Sequence, residues 1–282
     1  KTKTMGENRK LVSIISSGSR GDVQPLIGLA LELSKKYRVR LLTNAGSPKK
    51  FVESFPGLEY VEIFPGDSDE ILRTNETIRT AMAKGDVFKF FQCVDELGKE
   101  EAPTILKNFL HEMRTNKPDV LVVASLAHYM YYYARRILKL KVLKLDLQTV
   151  GYNPSFAPLG LPTLPFGMHY YLLLMAIKGS YKGFERFDEL AIEMGETPLS
   201  MTKKEFTREV SNSLKGCGSH VTITCQSHLF RNILRPNLDS DKNIYTGACI
   251  VDVEYQTKYS DKFGGDDGQQ RIQVFLDKDM KK

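Results

Sequence analysis

Hydrophobic and polar positions along the chain follow two alternating periods. Short apolar runs rich in β-branched residues recur, such as LVSII at 11–15 and VLVVA at 120–124. Between them lie longer segments whose apolar residues recur at helical spacing, as Leu26, Ala30, Leu33 and Tyr37 do. We predict strands at 11–15, 39–42, 60–64, 120–124, 142–147, 221–225 and 244–246. We predict helices at 25–36, 47–54, 87–114, 127–138, 183–194, 203–214 and 228–234.

The order of these elements predicts an α/β fold. Strands that alternate with helices form βαβ units, and these build a doubly wound, Rossmann-like parallel sheet. Strands that are apolar almost throughout, such as VLVVA, suit a sheet covered on both faces. Ligands of such sheets bind beyond the carboxyl ends of the strands, so we expect the functional residues in the loops that follow the strands.

The pattern also divides the chain. Residues 1–10 are polar and predict a flexible tail, and the alternating elements fill residues 11–251. Residues 252–282 begin with a polar stretch that contains GGDDG, which is typical of an exposed linker. We therefore expect one domain followed by a linker toward a further domain.

Composition and charge exclude some classes of function. The chain has 282 residues and a formal charge of +6, from 40 Lys plus Arg against 34 Asp plus Glu. The basic residues are spread along the chain, which argues against a nucleic-acid partner. The four cysteines are far apart and form no C-x-x-C pair, so they predict neither disulfides nor a zinc site. The polar N-terminus shows no signal peptide, and we expect a cytoplasmic protein.

One apolar stretch raises the question of membrane contact. Residues 159–177 carry no acidic or basic side chain except His169. The continuous apolar part, 168–177, is about half of the roughly 20 residues that cross a bilayer. We interpret the stretch as a buried pocket wall or an interfacial helix, with peripheral membrane contact left open as the alternative to core packing.

The loop after the first strand is the sharpest local feature. It carries Gly18 and Gly21, which allow a tight turn and the close approach of a ligand, and we expect the next helix to have Pro25 in its first turn. The N-terminus of that helix favours a phosphate or carboxylate, and Arg20 could add a charge-assisted hydrogen bond to a diphosphate. The glycine spacing is neither a dinucleotide fingerprint nor a P-loop.

Asp22 in this loop has two interpretations. It could be the helix N-cap, which accepts backbone N–H groups and has no other role. It could also be a general base that takes a proton from an attacking hydroxyl beside an anion site. The helix N-terminus should lower its pKa, whereas burial in an apolar pocket should raise it. The local pattern leaves both interpretations open.

Several segments together resemble one enzyme family. GSRGDVQPLIGLALEL is similar to the first loop and helix of sterol 3-β-glucosyltransferases and related antibiotic glycosyltransferases, which carry a G-[ST]-R-G-D-x-[QE]-P pattern. KPDVLVVASLAHYMYYYARRILKLKVLKLDL resembles their next strand, pocket helix and strand. NPSFAPLGLP resembles a further loop, although Ala157 separates Phe156 from the proline, and Tyr245-Thr246-Gly247 resembles the end of their first domain. The likeness covers most of residues 10–282.

The resemblance implies a fold and a reaction. It implies the N-terminal, acceptor-binding half of a GT-B glycosyltransferase, which transfers a hexose such as glucose from a UDP-sugar to a hydroxyl of a sterol or other lipid-like acceptor, with inversion and without a metal or other cofactor. Asp22 would be the base. The donor diphosphate would face the loop residues Gly18, Ser19, Arg20 and Gly21. Most of the donor would be held by a C-terminal domain whose motifs this chain does not show, so we expect the chain alone to be inactive.

Four further residues are candidates for acceptor contact: His128, Gln148, Phe156 and Phe166. Helix starts, strand-end hydrogen bonds and ordinary packing are the alternative roles of these side chains. The four tyrosines at 129 and 131–133 point around a helix, so at most one or two can face a ligand. Three D-x-D triplets lie in polar segments, and we interpret them as accidental.

A second class of function stays open. The chain could be a non-catalytic module with a glycosyltransferase-like fold that captures a lipid or a partner protein. A nucleotide-dependent oxidoreductase is disfavoured by the glycine spacing of the first loop.

Overall fold

Seven parallel strands form one sheet. The computed structural model describes residues 9–124, 127–147, 163–214, 222–225 and 243–246. The strands are β1 (Leu11–Ile15), β2 (Arg38–Asn44), β3 (Glu59–Phe64), β4 (Val120–Ala124), β5 (Val142–Asp146), β6 (Thr222–Thr224) and β7 (Asn243–Tyr245). Their order is β3-β2-β1-β4-β5-β6-β7, and every neighbouring pair is parallel. The predicted fold class is therefore confirmed, and all seven predicted strands are present with small shifts at their ends.

The helices that accompany the sheet are α1 (Arg20–Ser34), α2 (Ser47–Glu53), α3 (Ser68–Thr74), α4 (Glu76–Lys84), α5 (Val87–Thr115), α6 (His128–Arg136), α7 (His169–Glu193) and α8 (Lys203–Leu214). A 3-10 turn, Pro165–Gly167, precedes α7. The helix predicted at 228–234, residues 1–8 of the tail and the linker lie outside the described residues.

Both faces of the sheet are covered, as the apolar strands predict. Ile14 on β1 is buried in a cluster with Val23, Leu26 and Ile27 of α1, whereas the adjacent Ile15 is buried in a cluster with side chains of α5 and α6. Successive side chains of a strand point to opposite faces, so each strand contributes to two cores. The sheet thus holds the carboxyl ends of β1 and β4 side by side between the two helical layers.

The start of α1 differs from the prediction. We expected Pro25 in the first turn, but the helix begins at Arg20, with Ser19 as its N-cap and Pro25 inside it. The prediction was wrong because Ser19 and Asp22 have capping-box spacing, and a helix start with this spacing outweighs the preference of proline for the first turn. Asp22 is therefore the third helical residue and not the N-cap.

Three helical segments are additional to the predictions. Helices α3 and α4 are short, and each begins at a capping side chain, Asp67 and Asn75 respectively. Helix α3 has no buried residue, so no apolar period marks it in the sequence. Helix α7 begins at His169, well before the predicted start at 183, and the described part of the interfacial or pocket-wall stretch is therefore helical.

Helix α5 is fixed to its neighbours by two polar contacts. Pro103 lies inside the helix and cannot donate to the carbonyl of Lys99, which instead accepts a hydrogen bond of 2.8 Å from Arg186 Nη2 of α7. Arg40 of β2 pairs with Glu112 of α5 at 2.5 Å, and both side chains are largely buried. These contacts position the face of α5 that lies toward the carboxyl ends of the strands.

Candidate active site

The turn after β1 holds Asp22 in a defined position. Asp22 Oδ2 accepts hydrogen bonds from the Ser19 backbone N–H at 2.9 Å and from Ser19 Oγ at 3.2 Å. Gly18 has a φ of +127°, and a Cβ added there would lie 2.3 Å from Asp22 Oδ2. Only glycine combines this backbone conformation with that contact. The other carboxylate oxygen, Oδ1, accepts no hydrogen bond from the described residues.

Burial decides the proton affinity of Asp22. Burial raises the pKa of Asp22 above the usual aspartate value, the two hydrogen bonds from Ser19 oppose this rise, and the charge of Asp69 adds to it. The two opposing effects expected from the sequence are therefore both present, and desolvation is the larger. A carboxylate with a raised pKa is a stronger base.

Asn44 joins the loops that follow β1 and β3. Its Oδ1 accepts a hydrogen bond of 2.9 Å from the Gly18 N–H, and its Nδ2 donates to the Gly66 carbonyl at 3.1 Å. The side chain is buried at the carboxyl end of β2. Because both of its polar atoms are used, Asn44 supports the Gly18 turn and is positioned to act only through it.

Asp22 lies on the wall of a cavity of about 500 Å³. This volume is within the usual range of small-molecule sites, about 300–1,000 Å³. Polar residues that line it are Ser17, Ser19, Asp22, Asn44, Ser68, Glu101 and His128. Most of the remaining wall is apolar and includes Phe64, Ile71, Leu72, Ile78, Phe90, Val94, Leu97, Ile105, Met130, Phe184 and Phe187. The cavity thus suits a largely apolar molecule with a few polar groups.

His128 enters the same cavity from the first residue of α6, after β4. Burial and, to a smaller extent, the charge of Lys144 lower the pKa of His128 to about 4, and the charge of Asp146 opposes the shift. Lys144 and Asp146 pair at 3.4 Å on β5. His128 is therefore neutral near pH 7, and a neutral imidazole can donate one hydrogen bond and accept another.

Asp22 and His128 follow the two strands between which the strand order reverses. From β1 the chain proceeds to β2 and β3 on one side of the sheet, and β4 to β7 lie on the other. The crevice beyond the carboxyl ends of strands at this switch point is the usual ligand site of open α/β sheets. The cavity that holds both residues lies at this switch point.

The structure brings together some of the residues that the sequence predicts. Gly18, Ser19, Asp22 and His128 line the cavity, and Gly21 and the backbone of Arg20 form the first turn of α1. Phe166 is 95% exposed and does not line the cavity. Gln148, Phe156 and the side chain of Arg20 lie outside the described residues, so their roles stay predictions.

Four polar residues that line the cavity, Ser17, Asn44, Ser68 and Glu101, were not among the predicted site residues. Asn44 ends a predicted strand next to the switch point, a position that could have marked it. Of the four tyrosines near 129–133, all are buried and one, Tyr129, lines the cavity, in agreement with the limit set by helical spacing. Tyr129 stacks on Phe187 with ring centroids 4.7 Å apart.

One of the three D-x-D triplets lies within the described residues. Asp67 of the first D-x-D triplet caps α3 through the N–H groups of Asp69 and Glu70, and the other two triplets lie outside the described residues. Within the described ranges, no group of three or more His, Cys, Asp or Glu side chains could hold a metal ion. None of the described helices is long and apolar enough to cross a membrane.

Comparison with solved structures identifies the fold. The glycotransferase of kitacinnamycin matches with a TM-score of 0.51 and 16% identity over 91% of this chain and 55% of its own. The calicheamicin glycosyltransferase CalG4 matches with a TM-score of 0.50 and 16% identity over 86% of this chain and 53% of its own. The likeness shows the fold. It is the Rossmann-like α/β fold found in GT-B glycosyltransferases, and the chain spans about half the length of these two enzymes. No protein-family model and no curated protein matches the chain.

Proposed function

We propose that this chain is the acceptor-binding half of an inverting glycosyltransferase, with Asp22 as the catalytic base. The observation that carries the proposal is the position of Asp22. Its carboxylate has one oxygen held by Ser19 and a pKa raised by burial, and it lies on the wall of a mainly apolar cavity at the switch point of the sheet. The resemblance of the GSRGD segment to the sterol glucosyltransferase pattern supports the same role.

In the proposed reaction an acceptor hydroxyl lies in the cavity with its proton directed at Asp22. The hydroxyl oxygen attacks the anomeric carbon of a UDP-hexose and forms the new glycosidic bond. The bond from that carbon to the diphosphate oxygen breaks, and UDP leaves with the electron pair. Asp22 takes the hydroxyl proton, so charge and atoms balance. Attack from the side opposite the leaving group inverts the anomeric configuration.

The other cavity residues divide the remaining tasks. Neutral His128 donates a hydrogen bond to the acceptor or accepts one from it, and so orients the hydroxyl that reacts. The loop of Gly18, Ser19, Arg20 and Gly21 faces the donor diphosphate, and a second, donor-binding domain holds the nucleotide and most of the sugar. The apolar wall binds the body of a sterol or other lipid-like acceptor. We expect no sugar transfer by this chain alone.

The test compares the Asp22→Asn and Glu32→Gln variants of the full-length protein that the gene encodes. Glu32 is a carboxylate on the exposed side of the same helix, where it pairs with Lys35, so it controls for the loss of a charge. We expect Asp22→Asn to lower kcat by about 10²–10⁴-fold, the usual range for loss of a general base, with little change in acceptor binding. Glu32→Gln should retain wild-type turnover.

Product analysis completes the test. Nuclear magnetic resonance of the glycoside should show the anomeric configuration opposite to that of the donor. Turnover of Asp22→Asn close to wild type would reject the base assignment. An acceptor that binds without any transfer, in a protein that also carries a donor domain, would favour the non-catalytic lipid-binding module.

A further inference from the structure

One face of α5 forms a wall of the cavity and contains a charge. The residues of α5 that line the cavity are Phe90, Val94, Leu97, Gly98, Glu101 and Ile105. Their spacing puts them on one side of a helix. Glu101 is the charged residue among them, and it interrupts an otherwise apolar stripe. A carboxylate at this position loses part of its hydration, which an apolar side chain would not, so its presence suggests a role in binding.

Glu101 is partly buried and has no compensating partner among the residues that the structure describes. Among the described residues, no hydrogen-bond donor and no cation contacts its carboxylate. Burial, together with the adjacent charge of Glu100, raises the pKa of Glu101. A Cβ added at Gly66 would lie 2.4 Å from Glu101 Oε1, so the carboxylate occupies the space that a larger residue at 66 would fill. A partly buried carboxylate with no partner among the described residues does not stabilise the fold. It can accept a hydrogen bond from a molecule bound in the cavity.

Glu101 and Asp22 lie on either side of Asn44. Gly18, against which Asp22 packs, donates to Asn44 Oδ1, and Gly66, against which Glu101 packs, accepts from Asn44 Nδ2. The cavity therefore presents two carboxylates on a wall that is otherwise mainly apolar. None of the described residues that line it is a lysine or an arginine.

We infer that Glu101 recognises a second proton donor on the acceptor, a hydroxyl or an amine, while Asp22 engages the hydroxyl that reacts. The inference rests on the proposed function, and it narrows the acceptor class to an apolar molecule with two such groups. An acceptor with one hydroxyl, such as a simple sterol, would offer no second hydrogen bond to the partly buried Glu101. An acceptor with an anionic group at this position would be repelled by both carboxylates.

The test measures binding to this chain and does not depend on sugar transfer. The probes are dodecanol and three compounds with the same carbon chain that carry a second hydroxyl, an amine or a carboxylate at the far end. A flexible chain lets the second group reach Glu101 while the first hydroxyl reaches Asp22. Calorimetric titration below the solubility limit of each probe, and below the critical micelle concentration of the charged probes, gives the four dissociation constants for the wild type, Glu101→Gln and Glu100→Gln. Glu100 is the exposed neighbour that does not line the cavity, so its variant controls for the loss of charge on α5.

We expect the wild type to bind the amino alcohol and the diol more tightly than dodecanol, and the hydroxy acid most weakly. Glu101→Gln should reduce the preference for the amino alcohol over dodecanol by about tenfold or more, as expected for loss of a hydrogen bond to a charged group. Glu100→Gln should keep the wild-type order. The melting temperature of Glu101→Gln should equal or exceed that of the wild type, because the variant loses a desolvated charge and keeps the side-chain shape.

Three results would overturn the inference: an unchanged order in Glu101→Gln, a hydroxy acid that binds as well as the diol, or no binding of any probe by the wild type. Failure of the proposed function gives a different result. If Asp22→Asn retains transfer activity, the base assignment fails, and the order of the four probes still reports whether Glu101 selects the acceptor.

Discussion

Replacing Gly18 with alanine would place a methyl group where the Asp22 carboxylate now lies. The added Cβ would be 2.3 Å from Asp22 Oδ2 and 2.7 Å from its Cγ, both well below a van der Waals contact. The Asp22 side chain is the part that must yield, because Gly18 is held through its N–H by Asn44. The substitution therefore changes the position of the proposed base without changing its chemistry.

Two energies follow from this geometry. Forcing a residue other than glycine to a φ of +127° costs about 1–3 kcal/mol of stability. Restoring an ordinary contact of about 3.5 Å requires a movement of about 1 Å by the carboxylate. A misplacement of about 1 Å at a reacting group can lower a rate by about 10²-fold. The expected result is thus a modest loss of stability with a large loss of kcat.

Gly57→Ala separates these two effects. Gly57 also has a positive φ, +86°, but nothing lies within 4 Å of a Cβ added there. The Gly57→Ala variant is therefore destabilised by backbone strain and not by a steric clash. At about 2–4 °C for each kcal/mol, both variants should melt several degrees below the wild type. Only Gly18→Ala should lose turnover, measured as kcat of the full-length protein that the gene encodes. Equal turnover in the two variants would refute the argument that Gly18 is needed to position Asp22.

Two further predictions test the electrostatics of the site and of its support. Ser19→Ala removes the hydroxyl donor to Asp22, so the pKa of Asp22 should rise further and the acid limb of kcat/KM should move to higher pH; an unchanged limb, or one at lower pH, would contradict this. Glu112→Ala removes the buried partner of Arg40, which keeps its ion pair of 2.7 Å with Glu59, and should lower the free energy of unfolding in urea by about 1.5–3 kcal/mol, as expected for loss of a hydrogen bond between charged groups; Glu32→Ala, which breaks an exposed pair, should cost less than about 1 kcal/mol. Similar losses in these two variants would contradict the assigned role of the Arg40 pair.

The sequence predicts the sheet better than it predicts the helix starts. The bounds of β1 and β4 are as predicted because both strands are apolar on both faces, and such runs leave no alternative period. The start of α1 was misplaced because the proline signal at Pro25 conflicts with the capping signal at Ser19, and only one can begin the helix. Helix α3 has only seven residues and none of them is buried, so its capping aspartate is the main local signal for it in the sequence.

Site residues that belong to a loop motif can be predicted from the sequence. Site residues that reach the cavity through the packing of a distant helix are harder to predict. Asp22 and His128 follow strands that the pattern identifies, and the switch-point rule places them together. Glu101 is one of several acidic residues on a long helix, and its sequence neighbours do not show which faces inward. The stripe formed by Val94, Leu97 and Ile105 could have singled it out, because Glu101 shares their face.

The proposed chemistry and the proposed acceptor recognition reside on different elements. The base lies in the first turn of α1, and its position is fixed by Ser19, Gly18 and Asn44. The group that selects the acceptor lies on α5, which is fixed separately by Arg186 and by the Arg40–Glu112 pair. Substitutions on α5 can therefore alter which molecule is held without displacing the carboxylate that removes its proton. It follows that acceptor preference should change with residue 101 while the pH dependence set at Asp22 stays constant, and this separation can be measured in a single set of variants.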